Sequence, residues 1–157
     1  MGVAGTGKTT IGRLIAADLG WPYYEGDDFH PPANIAKMSE GQPLDDGDRT
    51  PWLASIRAKI DECRASGQSA VFTCSALKER YRVLLGVDAP DVLLVHLTGD
   101  ARILRARLGQ RQGHYMKPAM LQSQLDALEV PAHALTLDVQ LTPTEIVREI
   151  LHRLRGT

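Results

Sequence analysis

The sequence predicts an α/β fold: a three-layer arrangement in which a parallel sheet carries helices on both faces, built as a single domain over residues 1–157. Three observations predict it. A glycine-rich loop from Gly2 to Thr9 feeds directly into a helical apolar pattern. "SAVFTCS" and "DVLLVHLTGD" contain continuous apolar runs, which mark strands buried on both faces. Strand and helix patterns then alternate to the end of the chain, and such alternation implies right-handed crossovers between parallel neighbours.

Each element has a local reason. Ile11, Leu14, Ile15 and Leu19 recur at helical spacing after Lys8, so a helix opens there. Tyr23 to Glu25 reads as a short strand running into a loop. A second helix is expected from Pro31 to Glu40, with proline in its first turn and Gly41 as its stop. Thr50-Pro51 predicts the cap of a longer helix, in which Trp52, Ile56, Ile60 and Cys63 share a face and Gly67 marks the end. The strand in "SAVFTCS" leads into a helix from Ala76 to Leu85, and the strand in "DVLLVHLTGD" into one from Asp100 to Leu108. "GQRQGHYMK" breaks the regularity before a helix from Pro118 to Glu129. "ALTLDVQ" is the last strand, and Thr142-Pro143-Thr144-Glu145 is a capping box for a terminal helix with Ile146, Ile150, Leu151 and Leu154 inward. A phosphate loop connects a strand to a helix, yet only Met1 precedes Gly2, so the first strand is expected upstream of this chain.

Composition narrows the class. With 157 residues, 43% hydrophobic and 24% charged, the chain has enough apolar content for a soluble core. A net charge of -1 gives no general attraction to nucleic acid or to an anionic membrane. The apolar runs are too short to span a bilayer and no signal-peptide pattern opens the chain, so a cytoplasmic location is expected. Cys63 and Cys74 have neither metal nor redox spacing, and Cys63 reads as core. His96, His114, His133 and His152 are scattered without a zinc pattern, and His96, inside an apolar strand, reads as a satisfied core residue. No G-x-S-x-G is present to suggest a serine hydrolase.

The loop carries the chemistry. Gly2-Val3-Ala4-Gly5-Thr6-Gly7-Lys8-Thr9 matches G-x-x-x-x-G-K-[ST] at every defined position, and Thr10 continues it into the helix. Its glycines let backbone N–H groups turn around an anion, Lys8 reaches the β- and γ-phosphates of ATP, and the Thr9 hydroxyl suits Mg²⁺. No N-K-x-D motif reads guanine. Since ligands of open parallel sheets sit at the carboxyl ends of the strands, the segments after each strand hold the other candidates.

Asp27, after the first visible strand, is placed to help hold Mg²⁺ or to accept a hydroxyl proton, with the shaping of a turn as the alternative. His30, Asn34 and Lys37 lie about one helical turn apart, either on a face toward the cleft or, for Lys37, in solvent. Asp45, Asp46, Asp48 and Arg49 either cap a loop or serve a substrate; they do not match a calcium loop. Ser75, Lys78 and Arg82 follow the next strand and, with His30 and Arg49, supply the donors an anionic, hydroxyl-rich small molecule needs. Arg102, Arg105, Arg107, Arg111 and Lys117 have no acidic residue among them, and three readings stand: a solvated face, a nucleic-acid patch, or a lid over residues 109–117 whose arginines meet the nucleotide phosphates.

Taken together, "GVAGTGKTT", "EGDDFHPPANIAKMSEGQPLDDGDRTPWL", "CSALKERYR", "LTGD" and "RLGQRQGHYMKPAMLQSQLDALEVP" resemble the gluconokinase family, small P-loop kinases related in fold to shikimate kinase and the nucleoside monophosphate kinases. The resemblance implies a sheet of order 2-3-1-4-5 and transfer of the ATP γ-phosphoryl group to the 6-hydroxyl of D-gluconate. It also implies a homodimer. By motif position, Lys8, Asp27 and Arg111 are the catalytic candidates. Gly2 to Thr10, with Arg107 and Arg111, would bind ATP, and Thr9 and Asp27 the Mg²⁺. His30, Lys37, Arg49, Ser75, Lys78, Arg82 and His114 are the acceptor-side candidates. The rivals are a shikimate or nucleotide kinase and an ATP-binding module without turnover.

Overall fold

The computed structural model describes residues 1–109 and 118–156. Within them helices and strands alternate in the order α1 (Lys8–Leu19), β1 (Tyr23–Glu25), α2 (Pro32–Ser39), α3 (Asp46–Ala65), β2 (Val71–Thr73), α4 (Glu79–Leu85), β3 (Val95–Thr98), α5 (Ala101–Gly109), α6 (Pro118–Ala127), β4 (Leu135–Asp138) and α7 (Pro143–Arg155). A 3₁₀ turn over Gly26–Phe29 leaves the end of β1.

All strand pairing is parallel. β1 pairs with β2 in the register Tyr23 to Val71 and Glu25 to Thr73, and β3 pairs with β4 in the register Val95 to Leu135 and Thr98 to Asp138. Among the described residues these are two separate two-stranded sheets, β1 with β2 and β3 with β4. Met1 and Gly2 span the space between them: the Gly2 N–H donates to the Ser75 carbonyl at 3.2 Å, and the Leu97 N–H donates to the Met1 carbonyl at 3.0 Å. A cavity of about 450 Å³ lies behind that bridge, lined by apolar side chains that include Ile15, Val71, Leu97 and Ile150.

Two apolar clusters hold the elements. In one, Ile11, Ile15, Leu97, Leu104, Leu121, Val139, Ile146 and Ile150 bury α1, α5, α6 and α7 against β3 and β4. In the other, Trp52, Leu53, Ile56, Tyr81 and Leu85 join α3 to α4. The terminal helix has its expected start: the Thr142 hydroxyl accepts from the Glu145 N–H while the Glu145 carboxylate accepts from the Thr142 N–H.

Three local expectations need correction. α3 opens at Asp46 and not after Thr50, because Asp45 and Asp48 form a capping box of their own, with N–H to carboxylate distances of 2.8 and 3.0 Å. Pro51 therefore sits inside the helix. α4 begins at Glu79 and not at Ala76, since Ala76 takes a left-handed φ of 45° in the connection from β2. His96 is core, as expected, but it is not satisfied: at 2% exposure neither ring nitrogen has a hydrogen-bond partner. Burial and then its cationic neighbours, Arg82 among them, hold its pKa below the usual value, so the ring is neutral. No described helix is long and apolar enough to cross a membrane.

Candidate active site

Glycines set the path of the phosphate loop. Gly2 has φ +144° and a Cβ there would lie 2.4 Å from the Leu97 carbonyl oxygen, so the chain lies against β3 only without a side chain. The Val3 carbonyl accepts from the Thr6 hydroxyl at 2.8 Å and from Lys8 Nζ at 3.1 Å, and the Ala4 N–H donates to Gln124 Oε1 on α6 at 2.7 Å. Gly7 is the N-cap of α1, left-handed and with no side-chain cap, so Lys8 and Thr9 open the helix at its positive end. Beside the loop lies a cleft of about 320 Å³, bounded by Gly5, Thr6, Gly7, Thr10, Arg107 and Val139 among others. Arg107 donates to the Val139 carbonyl at 2.8 Å, which brings the predicted Thr10 and Arg107 to one cleft with the loop.

At the end of β1 the structure adds a residue that sequence reasoning missed. Glu25 accepts from the Thr9 hydroxyl at 2.7 Å, from the Tyr23 hydroxyl at 2.6 Å and from the Thr73 hydroxyl at 2.6 Å. Burial pushes its carboxyl up, but the hydroxyls of Thr73, Tyr23 and Thr9, together with the Lys8 ammonium, outweigh that and hold it below the ordinary value. Burial and then the Glu25 partner raise the Tyr23 phenol to about 12. Glu25 is the last residue of its strand, so a search confined to segments after strands passes over it; the Thr9 to Glu25 pairing is a signal only the fold provides. Asp27 follows two residues later in the 3₁₀ turn, exposed.

The acceptor-side candidates form two groups. The His30 ring stacks on Trp52 with centroids 4.2 Å apart, and Asn34 Nδ2 lies 3.3 Å from His30 Nδ1 and donates to the Asp48 carbonyl at 2.8 Å. Lys37 pairs with the Asp48 carboxylate at 2.7 Å. Burial, and then the Arg49 charge, lower the His30 pKa to about 4, so the ring is neutral. In the second group the cationic heads of Arg49 and Lys78 lie 5.8 and 5.7 Å from the Tyr81 ring centroid, with Arg80 at 5.4 Å. Asp46 accepts from Tyr81, Arg80 and Lys78, which hold its carboxyl down at about 2. The Ser75 carbonyl meets the Gly2 N–H, so the loop after β2 touches the start of the phosphate loop.

Arg82 departs from its expected place among the acceptor ligands. It is 1% exposed and its guanidinium donates to the Ala76 and Leu77 carbonyls at 3.0 and 3.1 Å and to Glu79. It fastens the left-handed turn at Ala76 by donating to that residue's buried carbonyl, and it shares the Leu77 carbonyl with the Glu129 N–H. Arg111 and His114, with the rest of the expected lid at 110–117, lie outside the described residues.

The shikimate kinase family matches residues 4–155. The gluconokinase of Gluconobacter oxydans (strain 621H) is 50% identical over 131 residues, covering 83% of this chain and 74% of that protein. A probable gluconokinase of Rattus norvegicus is 40% identical over 99% of this chain and 95% of its own length. Among solved structures, a gluconokinase from Sinorhizobium meliloti 1021 superposes with a TM-score of 0.86 at 45% identity, over 99% of this chain and 89% of that one. The similarity thus runs along nearly the whole length, and the chain belongs to the gluconokinase family, within the shikimate kinase group of P-loop kinases.

Proposed function

We propose that the protein phosphorylates D-gluconate at its terminal 6-hydroxyl with ATP, giving 6-phospho-D-gluconate and ADP. The observation that carries this reading is the junction at Gly2 and Glu25: the phosphate loop is bonded there both to the loop after β2 and to the end of β1, the two segments that carry Asp27, Ser75 and Lys78. The names of the relatives support the choice of acceptor.

The expected chemistry follows from these positions. The 6-hydroxyl oxygen attacks the γ-phosphorus, the bond to the β–γ bridging oxygen breaks, and the hydroxyl proton passes to the Asp27 carboxylate. Lys8 and the open N–H groups of α1 neutralise phosphate charge, and Arg111 adds a guanidinium from the segment after α5. His30, Lys37, Arg49, Ser75, Lys78 and His114 bind the polyol and its carboxylate; neutral His30 serves as a hydrogen-bonding group without adding charge. Mg²⁺ fits the oxygen donors of Thr9, Glu25 and Asp27, since it keeps several waters and needs few protein ligands beside phosphates. When bound, it neutralises charge on the β- and γ-phosphates. We place the enzyme in the cytoplasm, as a homodimer that needs no nucleic-acid or membrane partner.

An acceptor panel tests the reading. ADP release with Mg-ATP should depend on gluconate and not on shikimate or nucleoside monophosphates. ADP release driven by shikimate or a nucleotide would replace the acceptor, and ATP binding with no acceptor-dependent release would replace catalysis with binding alone.

A further inference from the structure

Gln124 lies on α6, far along the chain from the phosphate loop, yet its side-chain oxygen accepts the Ala4 N–H at 2.7 Å. That N–H belongs to the same peptide group as the Val3 carbonyl, which accepts from the Thr6 hydroxyl and from Lys8 Nζ. The Val3–Ala4 peptide is therefore held on both edges: Lys8 and Thr6 on its oxygen, Gln124 on its nitrogen. A trans peptide points those two groups in opposite directions. Rotation of the plane would turn the Val3 oxygen away from Lys8 and bring it toward Gln124 Oε1, where two acceptors meet and no hydrogen bond forms.

α6 is itself well anchored. Leu121 is fully buried, Arg105 of α5 donates to Gln122 Oε1 at 2.8 Å, and just past the helix the Glu129 N–H donates to the Leu77 carbonyl at 2.9 Å while its carboxylate accepts the Glu79 N–H at 2.5 Å. A firmly seated helix thus offers one neutral acceptor to one loop amide.

We infer that Gln124 is a positioning residue: by fixing the Val3–Ala4 peptide plane it sets the carbonyl that orients the Lys8 ammonium for the nucleotide phosphates. A neutral acceptor suits the task, because it takes the amide without repelling the phosphates. The inference rests on the ATP-dependent reading above, and it has a readout that needs no turnover. Amide hydrogen exchange at Ala4 in the folded protein should be protected in the wild type, and faster in Gln124→Leu by about tenfold, the scale of one lost hydrogen bond. Leucine preserves the volume and the helix, so thermal stability should change little.

Turnover supplies the second arm. Gln124→Leu should lower kcat/KM for ATP by about tenfold with the gluconate KM unchanged, while Gln124→Glu, which keeps the acceptor oxygen, should restore Ala4 protection. Unchanged Ala4 exchange in Gln124→Leu, or full ATP-dependent activity with that amide deprotected, overturns the inference. A wild type with a protected Ala4 amide but no phosphorylation of gluconate would contradict the proposed reaction and leave the peptide lock standing.

Discussion

The Thr9 hydroxyl donates to the Glu25 carboxylate at 2.7 Å, joining the first turn of α1 to the last residue of β1. Because Tyr23 and Thr73 donate to the same carboxylate, one anion organises the end of the phosphate loop and the neighbouring ends of both strands. Glu25→Ala would leave three hydroxyls without that acceptor. It should cost about 1–3 kcal/mol in urea unfolding and raise the Mg²⁺ concentration needed for half-maximal activity. Full stability and unchanged Mg²⁺ dependence would remove Glu25 from this role.

Lys8, Asp27 and Arg111 should separate by kinetic signature. Lys8→Ala should abolish most of kcat, and Arg111→Ala should lower it by about 10³ if that guanidinium meets the transferring phosphoryl group. Asp27→Asn should depress kcat more than it raises the gluconate KM. The opposite split, measured by steady-state ADP release, would make Asp27 a binding group.

His30 gives the protein an acid-sensitive contribution. Its pKa is about 4 when folded against 6.5 when unfolded, so between those values the unfolded chain binds a proton that the folded chain does not. Stability should therefore rise with pH across that window and fall on acidification. His30→Phe keeps a ring on Trp52 and should flatten this part of the stability profile; an unchanged slope in chemical denaturation from pH 4 to 6.5 would assign it elsewhere.

Arg82→Leu should be destabilising by about 1–3 kcal/mol, because it removes the guanidinium donor of the Ala76 carbonyl and one of the two donors of the Leu77 carbonyl in a buried turn. Since that turn carries Ser75 and Lys78, the gluconate KM should rise while the ATP KM stays near wild type. A stable variant with normal gluconate affinity would show that Ala76 holds its left-handed turn unaided.

Much of this was legible in the residues. The phosphate loop, the strands of "VFT" and "VHLT" and the capping box at Thr142 all depend on near neighbours, so local chemistry reveals them. At the start of α3 two capping signals lie five residues apart, and the Asp45–Asp48 pair wins over Thr50-Pro51 by satisfying two backbone N–H groups at once. Arg82 looked like a ligand because sequence gives its charge but not its burial. Glu25 and Gln124 acquire their partners only when distant segments meet, Gln124 at a separation of 120 residues.

The most direct measurement is the proton-coupled ³¹P NMR spectrum of the product formed from Mg-ATP and gluconate. Transfer to the terminal hydroxyl predicts a phosphomonoester resonance split into a triplet by the two protons of its CH₂ carbon. A doublet would place the phosphate on a secondary hydroxyl, and inorganic phosphate alone would mean that the protein hydrolyses ATP without using the acceptor; either result contradicts the account.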